Sequence, residues 1–475
     1  MSARKITIEP VTRIEGHARI TIYLDDAGDV ERSYLHVDEF RGLEKFSEGR
    51  PYFEMPQITQ RICGICPVSH HLAAAKSCDA ILGVTPPRPA ILLRELLHMA
   101  QFVQSHGMHF FYLAGPDIIL GFDADPAVRN VFGLIAADPK LALKAVGLRR
   151  FGQQIIERLG GKRVHPNVAV PGGVNAPLSR VDRDVTAAEI DTQIEVAQEG
   201  VALLAAWVEK NRDLAARFAA FASNYMGMVD PQGRLALYDG EIRICDPAGR
   251  RIEQFSPRDY LAHVAEHVEP WSFLKFPFYR KLGWPQGAYR VGPLARLNVV
   301  TGIPTPLAQE EFKRFRQIGE GRPVEGSLFY HYARLIELIY ALERIEELLS
   351  EPEILSADII APGPARLGEN GIAAIEAPRG TLIHDYSVDG NGLITRANLI
   401  VATGHNNWAM NQAVESVAKA FVHGPTVAEG MLNRVEAAVR CYDPCLSCST
   451  HAIGRMPLEV VLLGPDGREQ ARIAR

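Results

Sequence analysis

Residues 327–349 read SLFYHYARLIELIYALERIEELL, and this stretch decides the fold class. Its aliphatic side chains recur at the three- and four-residue spacing that places them on one face of an α-helix: Leu335, Leu338, Ile339, Leu342 and Ile345. Residues 89–113 and 186–225 also have helical patterns, and Thr186 and Glu189 fit a capping box at the start of the second. The sequence therefore predicts a mainly α member of the α+β class with a central bundle of long helices.

Small antiparallel sheets are predicted at the margins of this bundle. Residues 5–8 and 17–24 alternate apolar and polar side chains, as in strands, and residues 25–28 are typical of a turn. Residues 234–238 and 241–245 flank Asp239-Gly240, which indicates a hairpin, and residues 380–401 indicate another. No repeat or long linker divides the chain, so we expect one domain.

Composition excludes several classes of protein. The chain has 475 residues, 47% hydrophobic and 23% charged, and a net charge of −5, which gives no basic field for nucleic acid. The best apolar run, residues 107–122, is too short for a membrane span and contains charged or polar side chains. The N-terminus shows no apolar secretory core, so a cytoplasmic location is expected. Glycine-rich stretches at 321–326 and 390–392 lack the nucleotide-binding patterns, so no flavin or NAD site is expected in this chain.

The first of two C-x-x-C pairs lies in residues 61–70, RICGICPVSH. Pro67 suits the first position of a helix, which puts Cys66 near a helix N-terminus, where the dipole favours thiolate over thiol. His70 follows Cys66 by four residues on the same helical face, where its imidazole could hydrogen-bond a ligating sulfur. Cys63 and Cys66 are therefore candidate metal ligands or redox groups.

The second pair, Cys445 and Cys448, lies in residues 443–451, DPCLSCSTH. Two such pairs, each followed by a histidine, favour a four-thiolate metal site. A structural zinc site is one interpretation, but almost the whole chain separates the pairs, whereas zinc modules have closely spaced ligands. The remaining cysteines are predicted to be buried core thiols: Cys78, Cys245 and Cys441.

Residues 61–70 and 443–451, with RIEGH at 13–17 and EAPRG at 376–380, resemble the paired signatures of the nickel-iron hydrogenase large (catalytic) subunit. The resemblance covers essentially the whole chain, and the ending is most like that of cytoplasmic NAD-reducing, bidirectional hydrogenases. It implies reversible heterolytic cleavage of H2 at a cysteine-bound nickel-iron centre whose iron carries CO and cyanide. Electrons would pass to a small subunit with an iron-sulfur cluster, and from there through a diaphorase module to NAD.

The resemblance also assigns the metal ligands. Cys63 and Cys445 would be terminal nickel ligands, whereas Cys66 and Cys448 would bridge nickel and iron. His70 would donate a hydrogen bond to a bridging sulfur.

Further site residues follow from the same resemblance. Glu15 would accept the proton that leaves a terminal thiolate, and Arg379 would project over the open metal position. Asp443 would orient Arg379, and Pro378 would line the same pocket. Ser105 stands where many members carry an aspartate, which is a departure from the family pattern.

A second metal site and a processing step are implied near the C-terminus. Glu44, His451 and the backbone carbonyl of Leu399 would bind magnesium or iron. A maturation protease would remove residues 452–475 after His451, which leaves residues 1–451 as the catalytic domain. The alternative for this segment is a permanent strand at 458–463 followed by a turn.

Two other functions remain open from the sequence. A non-catalytic hydrogen-sensing homologue would share the same ligands, and a zinc-stabilised structural subunit would use the same cysteines. In the catalytic case a partner subunit is required, because the three scattered cysteines cannot hold an iron-sulfur relay.

Overall fold

The stretch at 327–349 forms the helix Phe329–Ser350. The structure, a computed structural model, describes residues 4–37, 42–363, 367–423, 427–450, 459–463 and 469–474, the last two ranges as backbone only.

The α-helices of the described residues vary from one turn to six, and the long ones form the body of the molecule. In chain order they are α1 (Leu43–Ser47), α2 (Met55–Thr59), α3 (Pro67–Leu82), α4 (Arg88–Met108), α5 (Val131–Ala137), α6 (Pro139–Gly160), α7 (Arg180–Ala187), α8 (Ile190–Lys210), α9 (Arg212–Arg217), α10 (Tyr260–His263), α11 (Pro293–Val299), α12 (Pro306–Ile318), α13 (Phe329–Ser350), α14 (Ala402–His405), α15 (Asn407–Phe421), α16 (Glu429–Cys441) and α17 (Leu446–Ser449).

The strands are short. In chain order they are β1 (Arg4–Ile8), β2 (Arg19–Leu24), β3 (Val30–His36), β4 (Ala169–Val170), β5 (Gly173–Val174), β6 (Asn224–Val229), β7 (Glu241–Cys245), β8 (Arg251–Phe255), β9 (Val264–Val268), β10 (Lys275–Tyr279), β11 (Tyr289–Arg290), β12 (Asn370–Ala377), β13 (Gly380–Val388), β14 (Ile394–Ile400), β15 (Glu459–Leu463) and β16 (Glu469–Ala474).

A bundle of α4, α6, α8 and α13 forms the centre of the fold. α4 packs against α6 and α13, and α13 packs against α8. All five residues of the predicted aliphatic stripe on α13 are fully buried in the main hydrophobic core, which extends from Ile8 to Cys448. The predicted fold class is confirmed. Within the described ranges, no helix is both long and apolar enough to cross a bilayer.

The sheets have two to four strands and are antiparallel apart from the short parallel pair β11 and β6. β1, β2 and β3 form the N-terminal sheet, and β13 and β14 form the hairpin predicted at 380–401. The sheet β12-β13-β14 packs on α3, and β13 is buried along most of its length. This sheet therefore extends from the surface into the centre of the molecule.

The capping box predicted at Thr186 and Glu189 is wrong. Thr186 lies inside α7, where its hydroxyl donates to the carbonyl of Asp182 at 2.6 Å and accepts from Arg158 at 2.8 Å. α8 begins after Glu189, and no side chain caps it. Residues 186–225 therefore contain the end of α7, α8, α9 and the start of β6 instead of one helix.

The hairpin predicted around Asp239-Gly240 is also wrong. β7 pairs with β6 and β8, and of residues 234–238 only Leu235 forms a bridge, to Val229. A Cβ on Gly240 would lie 2.4 Å from the carbonyl oxygen of Val229. The glycine is thus needed for a close approach to β6, whose fully buried residues make it the better partner for β7.

The C-terminal segment is present as a backbone hairpin of β15 and β16. A strand therefore stands at the predicted place in the full-length chain, while the turn after it and His451 lie outside the described residues.

Candidate metal centre

The two C-x-x-C pairs reach one point from opposite ends of the chain. Cys63 follows a short 3-10 turn, and Cys66 is the N-cap of α3, with Pro67 at the first helical position. Cys445 is the N-cap of the one-turn helix α17, and Cys448 lies within that helix. Each pair therefore has one sulfur at the start of a helix.

The four sulfurs form one buried cluster in which all four Sγ atoms lie within 4.8 Å of one another. Cys445 Sγ lies 2.8 Å from Cys448 Sγ and 3.2 Å from Cys63 Sγ, and Cys66 Sγ lies 3.4 Å from Cys448 Sγ. None of the four residues is more than 4% exposed. This is the convergence that a shared metal centre needs.

The electrostatics of the cluster fit a bound cation. Burial raises the pKa of the Cys445 and Cys448 thiols, whereas hydrogen bonds from Cys445, Cys448 and Cys66 lower the pKa of Cys63 well below its usual range. Protons between the sulfurs thus stabilise one thiolate. Metal ions replace such protons when they bind, and four soft thiolates suit nickel and iron.

His70 contacts the cluster and begins a chain of hydrogen bonds. Its Nε2 lies 3.4 Å from Cys448 Sγ, and its Nδ1 lies 3.2 Å from His384 Nε2. His384 Nδ1 lies 2.6 Å from the Tyr386 hydroxyl, and burial raises the pKa of Tyr386 well above its usual value. A Cys448 thiolate can only accept a hydrogen bond. His70 then donates to Cys448, His384 donates to His70, and Tyr386 donates to His384.

Glu15 joins the N-terminal segment to the second cysteine pair. Its backbone N–H donates to the carbonyl of Pro444 at 3.4 Å, and its carbonyl accepts from the Leu446 N–H at 3.0 Å. Its carboxylate Oε2 accepts from the Ser447 N–H at 3.1 Å. Gly16 has a φ of 87°, and a Cβ there would lie 2.7 Å from Leu446 Cβ. The RIEGH motif therefore pairs the Glu15 backbone with Cys445 and places its carboxylate at the Ser447 N–H.

Arg379 is held by Asp443. Arg379 Nε donates to the Asp443 carbonyl at 2.6 Å, and Nη2 donates to Oδ1 at 3.1 Å. Burial opposes the charge on Arg379, but Asp443 and the cysteines outweigh it and raise the arginine pKa well above its usual value. Within the described part of the chain, Arg379 Nη1 is buried and has no hydrogen-bond partner.

A small cavity lies between Arg379 and the sulfurs. Cys66, Cys445 and Cys448 line it, but Cys63 does not. Most of the opposite wall is apolar, formed by Ala377, Leu382, Val401 and Ala402. Pro378 is buried beside Arg379, yet it is not among the lining residues, so the structure does not place it in the cavity wall.

A serine, and not an acid, stands at position 105, and arginine and histidine side chains surround Asp443. Ser105 is fully buried on α4, and its hydroxyl has no partner among the described residues. One turn further along, His109 Nε2 donates to the Arg440 carbonyl at 2.8 Å and lies 3.9 Å from Asp443 Oδ1. Burial raises the pKa of Asp443, although Arg379 and Arg334 oppose this. At Asp443 burial therefore outweighs the two arginines.

Two of the three residues expected at a second metal site meet. The backbone N–H of Leu399 donates to Glu44 Oε1 at 2.7 Å, and His451 lies outside the described residues. The contact uses the amide of Leu399, so the structure does not show its carbonyl directed at Glu44.

Sequence reasoning did not identify His384, Tyr386, Arg334 or the buried Arg296. None of them stands in a motif near the cysteines, and only the fold brings them to the site. Cys78, Cys245 and Cys441 are buried, as predicted.

Comparison with known proteins agrees with this geometry. A family model described as nickel-dependent hydrogenase matches residues 41–129 and 232–451, and one described as HoxL-like matches residues 5–40. The beta subunit of the NAD-reducing hydrogenase HoxS of Cupriavidus necator is 44% identical, over 99% of this chain and 100% of that protein. One chain of the F420-non-reducing hydrogenase of Methanothermobacter thermautotrophicus is 44% identical, over 94% of this chain and 95% of that protein.

A solved structure has the same fold. The crystal structure of an NAD+-reducing NiFe hydrogenase in its H2-reduced state superposes with a TM-score of 0.92 and 46% identity, over 95% of this chain and 100% of that chain. With more than half of the chain matched by the family model, and four convergent thiols at the expected places, this chain belongs to the nickel-dependent hydrogenase family.

Proposed function

We propose that this chain is the catalytic subunit of a hydrogenase that cleaves H2 heterolytically and reversibly, with NAD as the final electron acceptor. The observation that carries the proposal is the buried cluster of four sulfurs beside a cavity and an arginine with an open donor. Similarity to an NAD-reducing hydrogenase along the full chain supports the choice of acceptor.

The four cysteines would hold a nickel-iron pair, which when bound supplies a redox-active Lewis acid for H2. Cys63 and Cys445 would bind nickel alone, and Cys66 and Cys448 would bridge to iron. Both proposed bridging cysteines line the cavity, together with Cys445. Its apolar wall suits a small uncharged diatomic such as CO, and the Arg379 cation suits the cyanide anion, so we also propose both on iron.

The protein side chains would handle the proton and the charge. Glu15 lies beside Cys445 and would accept the proton released at the terminal sulfur. Arg379 would place its open Nη1 in the cavity as a fixed cation, and Asp443 would hold it there. Pro378 would support Arg379 from the backbone. His70 would donate to the bridging Cys448.

The remaining assignments concern assembly. We propose that Glu44, Leu399 and His451 bind magnesium or iron, and that a maturation protease removes residues 452–475 after nickel is loaded. The processed chain, residues 1–451, would then join a diaphorase module and an iron-sulfur small subunit in the cytoplasm. Intact-mass measurement on the active complex tests the processing: a chain that ends at His451 supports it, and an active chain that ends at Arg475 contradicts it.

The activity is tested with the complex purified with its partners. H2-dependent reduction of NAD is expected, together with reduction of a viologen dye. Infrared bands of iron-bound CO and cyanide are expected in a region where protein does not absorb. Dye reduction without NAD reduction would contradict the acceptor, and a nickel-loaded complex with neither reaction would support a sensor.

A further inference from the structure

Arg296, on α11, has every donor of its guanidinium occupied. Nε and Nη2 donate to the two oxygens of Glu337, each at 2.6 Å, and Nη1 donates to Glu376 Oε2 at 2.7 Å. The two remaining N–H groups donate to the carbonyls of Ala377 at 3.0 Å and Pro378 at 3.1 Å. An arginine has five N–H donors, so Arg296 has none left for a substrate.

The two carbonyls that Arg296 holds belong to the residues immediately before Arg379. Ala377 pairs with Gly380 across the hairpin of β12 and β13, which leaves Pro378 and Arg379 as its two-residue turn. The direction of the Arg379 side chain depends on the backbone of this turn. Arg296 is therefore placed to control where Arg379 points.

The anchors of Arg296 connect the turn to the centre of the fold. Glu337 lies on α13 in the central bundle and also accepts from His106 of α4 at 3.0 Å. Glu376 lies on β12 and also accepts from the Met228 N–H and the Thr381 hydroxyl, at 3.0 and 2.7 Å. Because Arg296, Glu337 and Glu376 are all 0% exposed, solvent does not compete for these contacts.

The start of α11 fits the turn closely from the other side. Gly292 has a φ of 87°, and a Cβ there would lie 2.8 Å from the carbonyl oxygen of Arg379. A Cβ on Gly380 would lie 2.3 Å from Val291 Cγ2. The segment that carries Arg296 thus packs closely against the Arg379 backbone, in addition to the hydrogen bonds from Arg296 to Ala377 and Pro378.

We propose that Arg296 is a positioning residue: it fixes the Ala377–Pro378 backbone so that the Arg379 side chain keeps its place in the cavity wall beside the cysteines. The inference rests on the proposed function, because that function gives Arg379 its role at the metal centre. A buried ion pair is weak evidence for a stabilising role, because apolar residues of similar volume are often as stable, and the two carbonyl contacts hold the turn specifically.

The test uses the purified complex with Arg296→Lys, Arg379→Lys and the double variant. A lysine cannot donate to two carboxylates and two carbonyls at once. Arg296→Lys is expected to speed amide hydrogen exchange in residues 377–381 and to lower H2 oxidation by about 100-fold, the size of effect that a displacement of about 1 Å can have. Nickel content is expected to stay at the unmodified level.

Arg94→Lys is the matched control. Arg94 is equally buried. It donates to the carboxylate of Asp79 and to the backbone carbonyls of Val170 and Gly173, which are far from the turn in sequence. It is expected to leave exchange at 377–381 and turnover unchanged. If Arg296 acts through Arg379, Arg296→Lys causes no further loss of turnover when Arg379 is already lysine.

Unchanged exchange at 377–381 in Arg296→Lys would overturn the inference, as would losses of turnover that multiply in the double variant. If Arg296→Lys does not fold, Glu376→Gln weakens the same set of contacts and must itself speed exchange at 377–381. The exchange readout needs no hydrogenase activity. An unmodified complex without H2 turnover would therefore reject the proposed function and leave the role of Arg296 to be judged by exchange.

Discussion

Replacement of Glu15 by glutamine separates a proton-accepting role from a structural one. Among the described residues, the carboxylate accepts a hydrogen bond from the Ser447 N–H at 3.1 Å, and glutamine keeps an oxygen that can accept it. The backbone bonds of Glu15 to Pro444 and Leu446 do not involve the side chain. Glu15→Gln is therefore expected to preserve the fold and the cysteine cluster.

The expected effects on stability and on catalysis differ in size. A hydrogen bond to a charged group contributes about 1.5–3 kcal/mol and a neutral one about 0.5–1.5 kcal/mol, so the free energy of unfolding should fall by about 1 kcal/mol. Loss of a general base lowers a rate by about 10²–10⁴, which corresponds to roughly 3–5 kcal/mol of activation free energy. A purely structural role for Glu15 predicts only the first effect.

The assay compares H2 oxidation, H2/D2 exchange and nickel content in the Glu15→Gln and unmodified complexes. Glu31→Gln, at an exposed position of β3, is the control and is expected to change none of them. A drop of 100-fold or more at full nickel content is expected for Glu15→Gln. Turnover within about threefold of the unmodified complex would refute the reasoning.

Three further outcomes are expected. Tyr386→Phe leaves His384 Nδ1 without its donor, so chemical denaturation should show a loss of about 1–3 kcal/mol, and infrared bands at the metal centre should shift without loss of nickel. Leu338→Ala removes a fully buried side chain from α13 and should cost about 2–5 kcal/mol in the same denaturation assay, whereas Leu307→Ala, which is 38% exposed, should cost far less. Stability should fall as pH drops from about 6.5 toward 4, because the unfolded chain then binds more protons than the folded one. The loss at pH 5 is about 2 kcal/mol for each buried histidine, and calorimetry at several pH values checks this. The histidines responsible have pKa values that burial lowers to about 4 or 3: His71, His98, His106, His331 and His405.

Local patterns in the sequence predicted much of the fold. The stripe on α13 and the hairpin at 380–401 depend on side chains a few residues apart, and both are present. Thr186 failed as a cap because it lies inside α7, where its hydroxyl bonds to Asp182 and to Arg158 from another helix. Residues 234–238 failed as a strand because β6 is the partner of β7. In both cases a distant part of the chain outweighed the local signal.

The residues of the candidate site also fall into two groups: those that a local motif indicates and those that only the fold brings to the site. The cysteines, Glu15 and Arg379 stand in short motifs, so the sequence indicated them. Arg296 and His384 have no motif of their own, and their contacts with Pro378 and His70 depend on packing between elements far apart in the chain. Such positioning residues are visible only once the fold is known.

The most direct test of the account is metal analysis of the purified active complex and of four variants in which one cysteine of the cluster is replaced by serine. One nickel per chain is expected in the unmodified complex, with little or none in each variant, because each sulfur is a ligand. Stoichiometric zinc without nickel, or full nickel in all four variants, would contradict the account.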